Sequence, residues 1–426
     1  MEHIIYSQVA SFLSSVNFFH PNQHGFRQGH SCESQLALFL HDIHTNLDLN
    51  TPTDAFFLDL EKAFDKVSHR HLLLKLSCLN LDSCVLTWIS SFLTNRLQFV
   101  VANSHSSALS HVRSGVPQGT VLGPLLFLIY INDLPNNMSS NIRLFADDCV
   151  IYRFINNQSD IAVLQNDLVK VQEWCDTWLM KLNVNKTFLV SFHRRRNYSP
   201  PNYLLYGCPI TQTDNIKYLG VHISSDLSWL SHVTNIANSA NRVLGYLRRN
   251  FSLAPPSVKL IAYISLVRPK LEYASSIFDL HQTNLSNLLE SIQNRASRFI
   301  LSEYSYRASV NGLKSRLELR TLASRRQLAR LSLYHTFFHS LPPNNALIRP
   351  AHRLSRHSHL KAVYPQRAHT TTFQKSFFLR TALDWNDLPG HIASLEDLQQ
   401  FKTAIENHFF FVITAVLPAH PSCNTP

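Results

Sequence analysis

Two aspartates stand side by side, Asp147 and Asp148, inside the apolar stretch L-F-A-D-D-C-V-I-Y of residues 144–152. Neighbouring residues within a strand point to opposite faces. A turn between two strands lifts that limit, and Asp tolerates turn geometry. The stretch reads as two short buried strands, Leu144–Ala146 and Cys149–Tyr152, joined at an acidic tip. Carboxylates held together repel, and one pKa rises unless a cation sits between them. Hard divalent cations take oxygen ligands and supply that neutralisation. Taken alone, such a pair is more often a solvated surface turn. A third acid, Asp59, ends the apolar run A-F-F-L-D-L at 55–60. An unpaired carboxylate in a buried strand is costly, so Asp59 must be ligated, paired or neutralised.

Two loops add polar groups of another kind. In S-G-V-P-Q-G-T-V-L-G-P, residues 114–124, Gly115, Pro117 and Gly119 constrain the chain and let a ligand approach the backbone. Gln118 projects from that loop with both a donor and an acceptor. The same residues also make a plain loop-to-helix turn. In H-P-N-Q-H-G-F-R-Q-G-H-S, residues 20–31, Arg27 lies between Gly25 and Gly29. It is either a surface arginine or the kind of residue that meets a triphosphate by charge-assisted hydrogen bonds.

Taken together and in order, F-F-L-D-L-E-K-A-F-D-K-V, S-G-V-P-Q-G-T-V-L-G-P and F-A-D-D resemble the palm of a reverse transcriptase. The resemblance is to enzymes of non-LTR (LINE-type, jockey-like) retrotransposons. It includes G-F-R-Q-G-H-S before the palm and continues to the C-terminus. It implies an α+β, right-hand polymerase fold: fingers and palm with an antiparallel sheet and acidic hairpin over 1–225, a helical basic thumb over 226–340, and a C-terminal region of unassigned role over 341–426. The implied activity is RNA-directed DNA polymerisation, with RNA template, DNA primer and dNTPs as partners and an endonuclease of the same element as a further one. Two Mg²⁺ ions, or Mn²⁺ in their place, would be held by Asp59, Asp147, Asp148 and the backbone carbonyl of Leu60. Gln118, Gly119 and Arg27 would meet the nucleotide. Phe64, five residues after Asp59, would stand against its sugar, or else be a core residue of an amphipathic helix. Lys186 in L-N-V-N-K-T is a candidate general acid near the leaving pyrophosphate, or a solvated turn lysine. Tyr218, Leu219 and Gly220 resemble the turn that holds the primer end. The chain lacks the finger strands and endonuclease usual upstream in such elements, which reads as a truncated copy. A catalytically silent nucleic-acid-binding remnant of the same fold is therefore the alternative.

The elements that must position these residues follow from pattern. Hydrophobic spacing predicts helices over 1–19, from Cys32 to about Leu47 with Ser31 as cap, and over Glu61–Leu79, with Asp65 near the start of the last suiting the helix dipole. Another helix closes at Trp88–Phe92. A hairpin is expected from Arg96–Ala102 and Ala108–Val112, an apolar helix after Thr120, an amphipathic helix over Ile161–Leu182, and a strand over Phe188–Phe192. From about Ser231 the chain reads as helical and basic, with Arg242, Arg248, Arg249, Arg295 and Arg298 suited to a duplex backbone. Pro-bearing joints fall at Ser199-Pro200-Pro201, Ala254-Pro255-Pro256 and Leu341-Pro342-Pro343.

Composition agrees with a polyanionic partner. The 426 residues carry 39 Lys and Arg against 28 Asp and Glu, a net +11, and such an excess favours nucleic acid before membrane. The apolar runs near Val121–Ile131 and Phe409–Ala419 are too short to span a bilayer. The 7 Cys show no paired metal-ligand spacing, which argues against zinc or a disulfide framework and for a reducing, intracellular compartment, nucleus or cytoplasm.

Overall fold

The computed structural model describes residues 1–195, 198–278, 280–339, 347–351 and 359–416, with side chains to residue 409. The Leu341-Pro342-Pro343 joint lies outside the described residues. The chain forms two compact units, Met1–Leu227 and Ser228–Pro426.

The first unit is built on helices α1 (Glu2–Ser15), α2 (Cys32–Asp48), α3 (Leu122–Ile131) and α4 (Gln158–Thr177). Its main sheet has strands β1 (Thr53–Leu58), β2 (Asn141–Phe145), β3 (Asp148–Phe154), β4 (Phe188–Phe192) and β5 (Thr211–Gln212), in the order β5-β4-β1-β3-β2. β1 pairs antiparallel with both β3 and β4, and only β5 runs parallel to its neighbour. Every residue of β1 is buried, as a central strand covered on both faces requires. α3 is apolar on all sides and buried from Leu125 through Ile131, so it forms the middle of the core beneath the sheet. The α+β class expected from the sequence is what the structure shows.

Local signals explain most boundaries. Ser31 opens α2 in a reciprocal capping box with Ser34. Thr120 Oγ1 accepts the Gly123 N–H, capping the first turn of α3. Two expected helices end differently. The segment after Asp59 is not one helix over Glu61–Leu79: it breaks at Val67, and Ser68 caps a second helix, His69–Ser77, by accepting from His71 N–H. The amphipathic helix stops at Thr177. Leu182 then pairs with Leu60 instead of extending it.

The second unit is helical. α5 (Leu230–Asn250), α6 (Pro256–Ala262) and α7 (Thr283–Leu301) share a core that includes Leu244, Val267, Phe278 and Leu289. Further along, α8 (Leu322–His339) carries His335, whose ring lies near that of the buried Trp385. The run W-N-D-L-P, residues 385–389, ties this region together. Trp385 Nε1 donates to the Lys361 carbonyl, and the Asn386 side chain bonds both the N–H and the carbonyl of Val363, each at 2.8 Å. Among the described residues no helix is long and apolar enough to cross a membrane.

Candidate active site

The acidic hairpin is the turn between β2 and β3. Phe145 pairs with Asp148, leaving Ala146 and Asp147 as the two-residue turn. Ala146 takes a left-handed conformation at φ 56°, which is strained for a residue with a Cβ. The register of β1 against β3 sets Leu58 opposite Cys149. Asp59 follows directly on β1 and Asp148 opens β3, so this register brings them to the same end of the sheet, and the charge of Asp59 is felt by both Asp147 and Asp148. A carboxylate from the end of β1 thus meets two from the hairpin tip.

The electrostatics follow. Burial raises Asp147, and the charge of Asp59 adds to it, against a lowering bond from its own backbone. Asp148 keeps solvent access at the tip, yet the protein mass around it and the charges of Asp147 and Asp59 push it up to about 6. Among the described residues none of the three has a basic partner within ion-pair distance. No three His, Cys, Asp or Glu among the described residues converge as a ready-made metal cage; the carboxylates are coupled through charge without closing to coordinating distance. As a donor set they fit a hard divalent cation: all oxygen, partly desolvated, mutually repelling and uncompensated.

Around the acids, Asp59 gives its carbonyl to the Asn183 N–H at 2.8 Å, and Glu61 N–H donates to the Lys181 carbonyl at 2.8 Å. Neither bond uses the carbonyl of Leu60, whose side chain is buried. Lys186 ends the short 3-10 turn Val184–Lys186 and is exposed. Its N–H donates to the Asn183 carbonyl, so its backbone is tied to Asp59 through one residue.

Gln118 lies exposed in its loop, and its Nε2 donates to Asp65 Oδ1 at 3.0 Å. Ser114 Oγ donates to the Asp65 carbonyl at 2.9 Å. Gly115, at φ 91°, lies where a Cβ would come within 2.7 Å of that carbonyl. Asp65 therefore anchors the whole loop, a larger part than the helix-dipole role read from the sequence. Gly119 at φ 81° has open space around it. Phe64 is half-buried and stacks on Phe127 of α3 at 4.3 Å between centroids, with Phe26 edge-on at 6.2 Å. Packing against these two rings holds the Phe64 ring while the residue keeps partial exposure.

Arg27 is turned into its own loop. Its Nη1 donates to the carbonyls of His20 at 3.0 Å and Gln23 at 3.2 Å, and the guanidinium lies 5.5 Å from the Phe19 ring. Tyr218 is buried; its hydroxyl accepts from Gln35 Nε2 at 3.1 Å and its ring packs on Phe39 and Phe57. Leu219 and Gly220, at φ 46° and 80°, form the turn between β6 (Asn215–Tyr218) and β7 (Val221–Ser224). Both central residues at positive φ match a type I′ hairpin, where leucine is strained.

Sequence reasoning passed over Gln23. The loop that holds it pairs along the free edge of β2, with the His24 N–H on the Leu144 carbonyl and the Leu144 N–H on the Asn22 carbonyl, each 2.9 Å. Gln23 is 1% exposed. Its Oε1 accepts from both the Gly25 N–H at 2.8 Å and the Ala146 N–H at 2.9 Å, while its buried Nε2 has no protein partner among the described residues. A Cβ on Gly25 would lie 2.3 Å from the Ala146 nitrogen. The G-F-R loop thus supports the turn that carries Asp147, and the N-Q-H-G-F-R run was the available signal.

The family described as Reverse transcriptase (RNA-dependent DNA polymerase) matches residues 1–223, the stretch that contains all three acids. The chain is 31% identical over 308 residues to the probable RNA-directed DNA polymerase from transposon X-element of Drosophila melanogaster, covering 70% of this chain and 34% of that protein. It is 28% identical over 380 residues to the corresponding protein of transposon BS from the same organism, covering 85% and 42%. The chain thus spans well under half the length of these relatives. Among solved structures, a telomerase from Candida tropicalis in complex with a fragment of telomeric RNA aligns at a TM-score of 0.43 and 9% identity, over 79% of this chain and 49% of that one. With the family match lying over the sheet, the acidic hairpin and the loops that surround them, the chain belongs to the reverse transcriptase (RNA-dependent DNA polymerase) family.

Proposed function

We propose that this chain is the polymerase part of a non-LTR retrotransposon enzyme, copying RNA into DNA by adding dNTPs to a primer 3′-hydroxyl. The observation that carries the reading is the meeting of Asp59 with Asp147 and Asp148, three coupled carboxylates with no basic partner among the described residues. Phosphoryl transfer of this kind is mostly positioning and charge neutralisation. Asp59, Asp147, Asp148 and the Leu60 carbonyl would hold two Mg²⁺, or Mn²⁺. When bound, such ions neutralise charge on the attacking and leaving oxygens.

The other side chains position substrate. The Gln118 loop, anchored on Asp65, faces the nucleotide and its template partner, with Gly119 leaving room for backbone approach. Phe64 stands against the sugar and discriminates against a 2′-hydroxyl. The Tyr218-Leu219-Gly220 turn holds the primer end. Lys186 is the candidate proton donor to the leaving pyrophosphate. Arg27 braces the Gln23 loop through Nη1, and its Nη2 and Nε donors would meet the triphosphate. Residues 226–340 would serve as the thumb on the template–primer duplex, with 341–426 as a separate C-terminal region, and an endonuclease of the same element as partner. Extension of a DNA primer on an RNA template, with Asp147→Ala alongside, tests the reading. Mg²⁺-dependent extension by the parent and none by the variant supports it; no extension by the folded parent favours a silent nucleic-acid-binding remnant.

A further inference from the structure

The helical unit contains a cavity of about 480 Å³ lined by Arg248, Arg249, Lys259, Phe299, Ser302 and Tyr304, among others. Three cations face it and no acid does. Lys259, in α6, is only 3% exposed. Its Nζ donates to Ser302 Oγ at 3.0 Å and lies 5.1 Å from the centre of the Phe299 ring. No carboxylate pairs with it among the described residues. Glu303, between the lining residues Ser302 and Tyr304, accepts the Ser305 N–H at its Oε1 instead.

A buried ammonium with one hydroxyl partner is poorly compensated. The end of α7 at Leu301 supplies a favourable dipole, as does the end of α5 for Arg248 and Arg249. That effect is a fraction of the cost of burying an ion. Two other arginines of this unit differ. Arg295 Nη2 is held by Asn241 Oδ1, and Arg298 by the carbonyls of Ser305 and Ala308. Arg248 and Arg249 are exposed at the cavity, and Gly245 leaves the space over which the Arg249 guanidinium lies, 3.6 Å from where a Cβ would be. The missing component is an anion.

We propose that this cavity binds a phosphate group of a nucleic-acid strand, with Lys259 at its floor, Arg248 and Arg249 at its rim and the Ser302 hydroxyl beside them. Tyr304, 58% exposed at the opening, offers a ring on which the adjoining base stacks. The inference concerns the helical unit and does not depend on polymerase activity, because the readout is binding.

The test is fluorescence anisotropy of the full chain with short single-stranded DNA labelled at its 3′ end, with or without a 5′-phosphate, across a salt series. Lys259→Met and the double variant Arg248→Gln/Arg249→Gln should each weaken binding roughly tenfold or more, the loss expected for a charge-assisted phosphate contact. Each should also flatten the salt dependence by about 0.7 or more in log–log slope, the single-strand value for one phosphate. Lys270→Gln, an exposed cation of the same unit outside the cavity, should do neither. A 5′-phosphate that strengthens binding to the parent and not to the variants identifies a terminal phosphate as the ligand. Equal losses on both probes identify an internal phosphodiester. If Lys259→Met fails to fold, the double variant decides. Folded variants that bind with the affinity and salt slope of Lys270→Gln overturn the proposal.

Discussion

Gln23 Oε1 accepts the N–H of Ala146 at 2.9 Å, so a loop more than a hundred residues upstream holds the turn that carries Asp147. The same oxygen takes the Gly25 N–H. Replacing Gln23 with Met keeps the shape and leaves two buried donors unsatisfied, at about 1–3 kcal/mol each when fully unmet. Gln23→Met should lower stability in urea unfolding by about 2–6 kcal/mol and lower the rate of nucleotide addition more than primer binding. Equal stability and equal rate would show that the bond does not position the turn. Gly25→Ala should be worse, since its new methyl would meet the Ala146 backbone at 2.3 Å.

Asp148 gives a pH signature. Its pKa is raised from 3.8 to about 6 by burial first, then by Asp147 and Asp59. The folded state then binds more protons than the unfolded one between those values, so this group's contribution to stability falls as pH rises through about 4 to 6. Thermal unfolding in chelator should show that fall in the parent and a flatter profile in Asp148→Asn, which should also melt higher than the parent above pH 6. Added Mg²⁺ should stabilise the parent above pH 6 and much less below it. Superimposable profiles for parent and variant would contradict the coupling.

Asp65 should act through Gln118. Asp65→Ala removes the acceptor for Gln118 Nε2 and leaves the backbone carbonyl that Ser114 binds. The expected result is a raised KM for dNTP, with stability changed by less than about 1 kcal/mol for an exposed pair. Steady-state kinetics at varied dNTP decide it, and an unchanged KM would remove Asp65 from the nucleotide site.

Phe64 stacks on Phe127 and is only half-buried. Phe64→Val should admit ribonucleotides while deoxynucleotide use largely survives. Incorporation of each sugar by the folded variant is the measurement. A variant as strict as the parent means that Phe64 is packing and not a gate.

The acidic hairpin was legible in the sequence because both its signals are local, apolar runs of strand length and an Asp-Asp pair between them, although the turn falls one residue earlier than read, on Ala146 and Asp147, with Asp148 opening β3. Asp59 was legible as a carboxylate stranded in an apolar run. That Asp59 comes to the same end of the sheet as Asp148 needs the pairing of β1 with β3, some ninety residues apart, which no local pattern carries. Gln23 and Asp65 escaped for the same reason: their partners Ala146 and Gln118 are distant in sequence. The break at Val67 was readable in principle, since Ser68 precedes a helical run and is a good cap. The helical periodicity that continued across it masked the signal. Leu182 kept helical spacing with Trp178 while the backbone had already turned to pair with Leu60. A guanidinium beside glycines suits a triphosphate, and residue type alone does not show that one of its nitrogens, Arg27 Nη1, also binds two carbonyls of its own loop.

The central claim is that Asp59, from a different strand, belongs to one site with Asp147 and Asp148. Primer extension on an RNA template at saturating Mg²⁺ tests it most directly, with Asp59→Asn beside the parent and its fold checked by thermal unfolding. The account predicts that the folded variant loses extension as completely as Asp147→Ala, because no neighbouring side chain replaces the missing carboxylate. Extension at the parental rate by Asp59→Asn would contradict it.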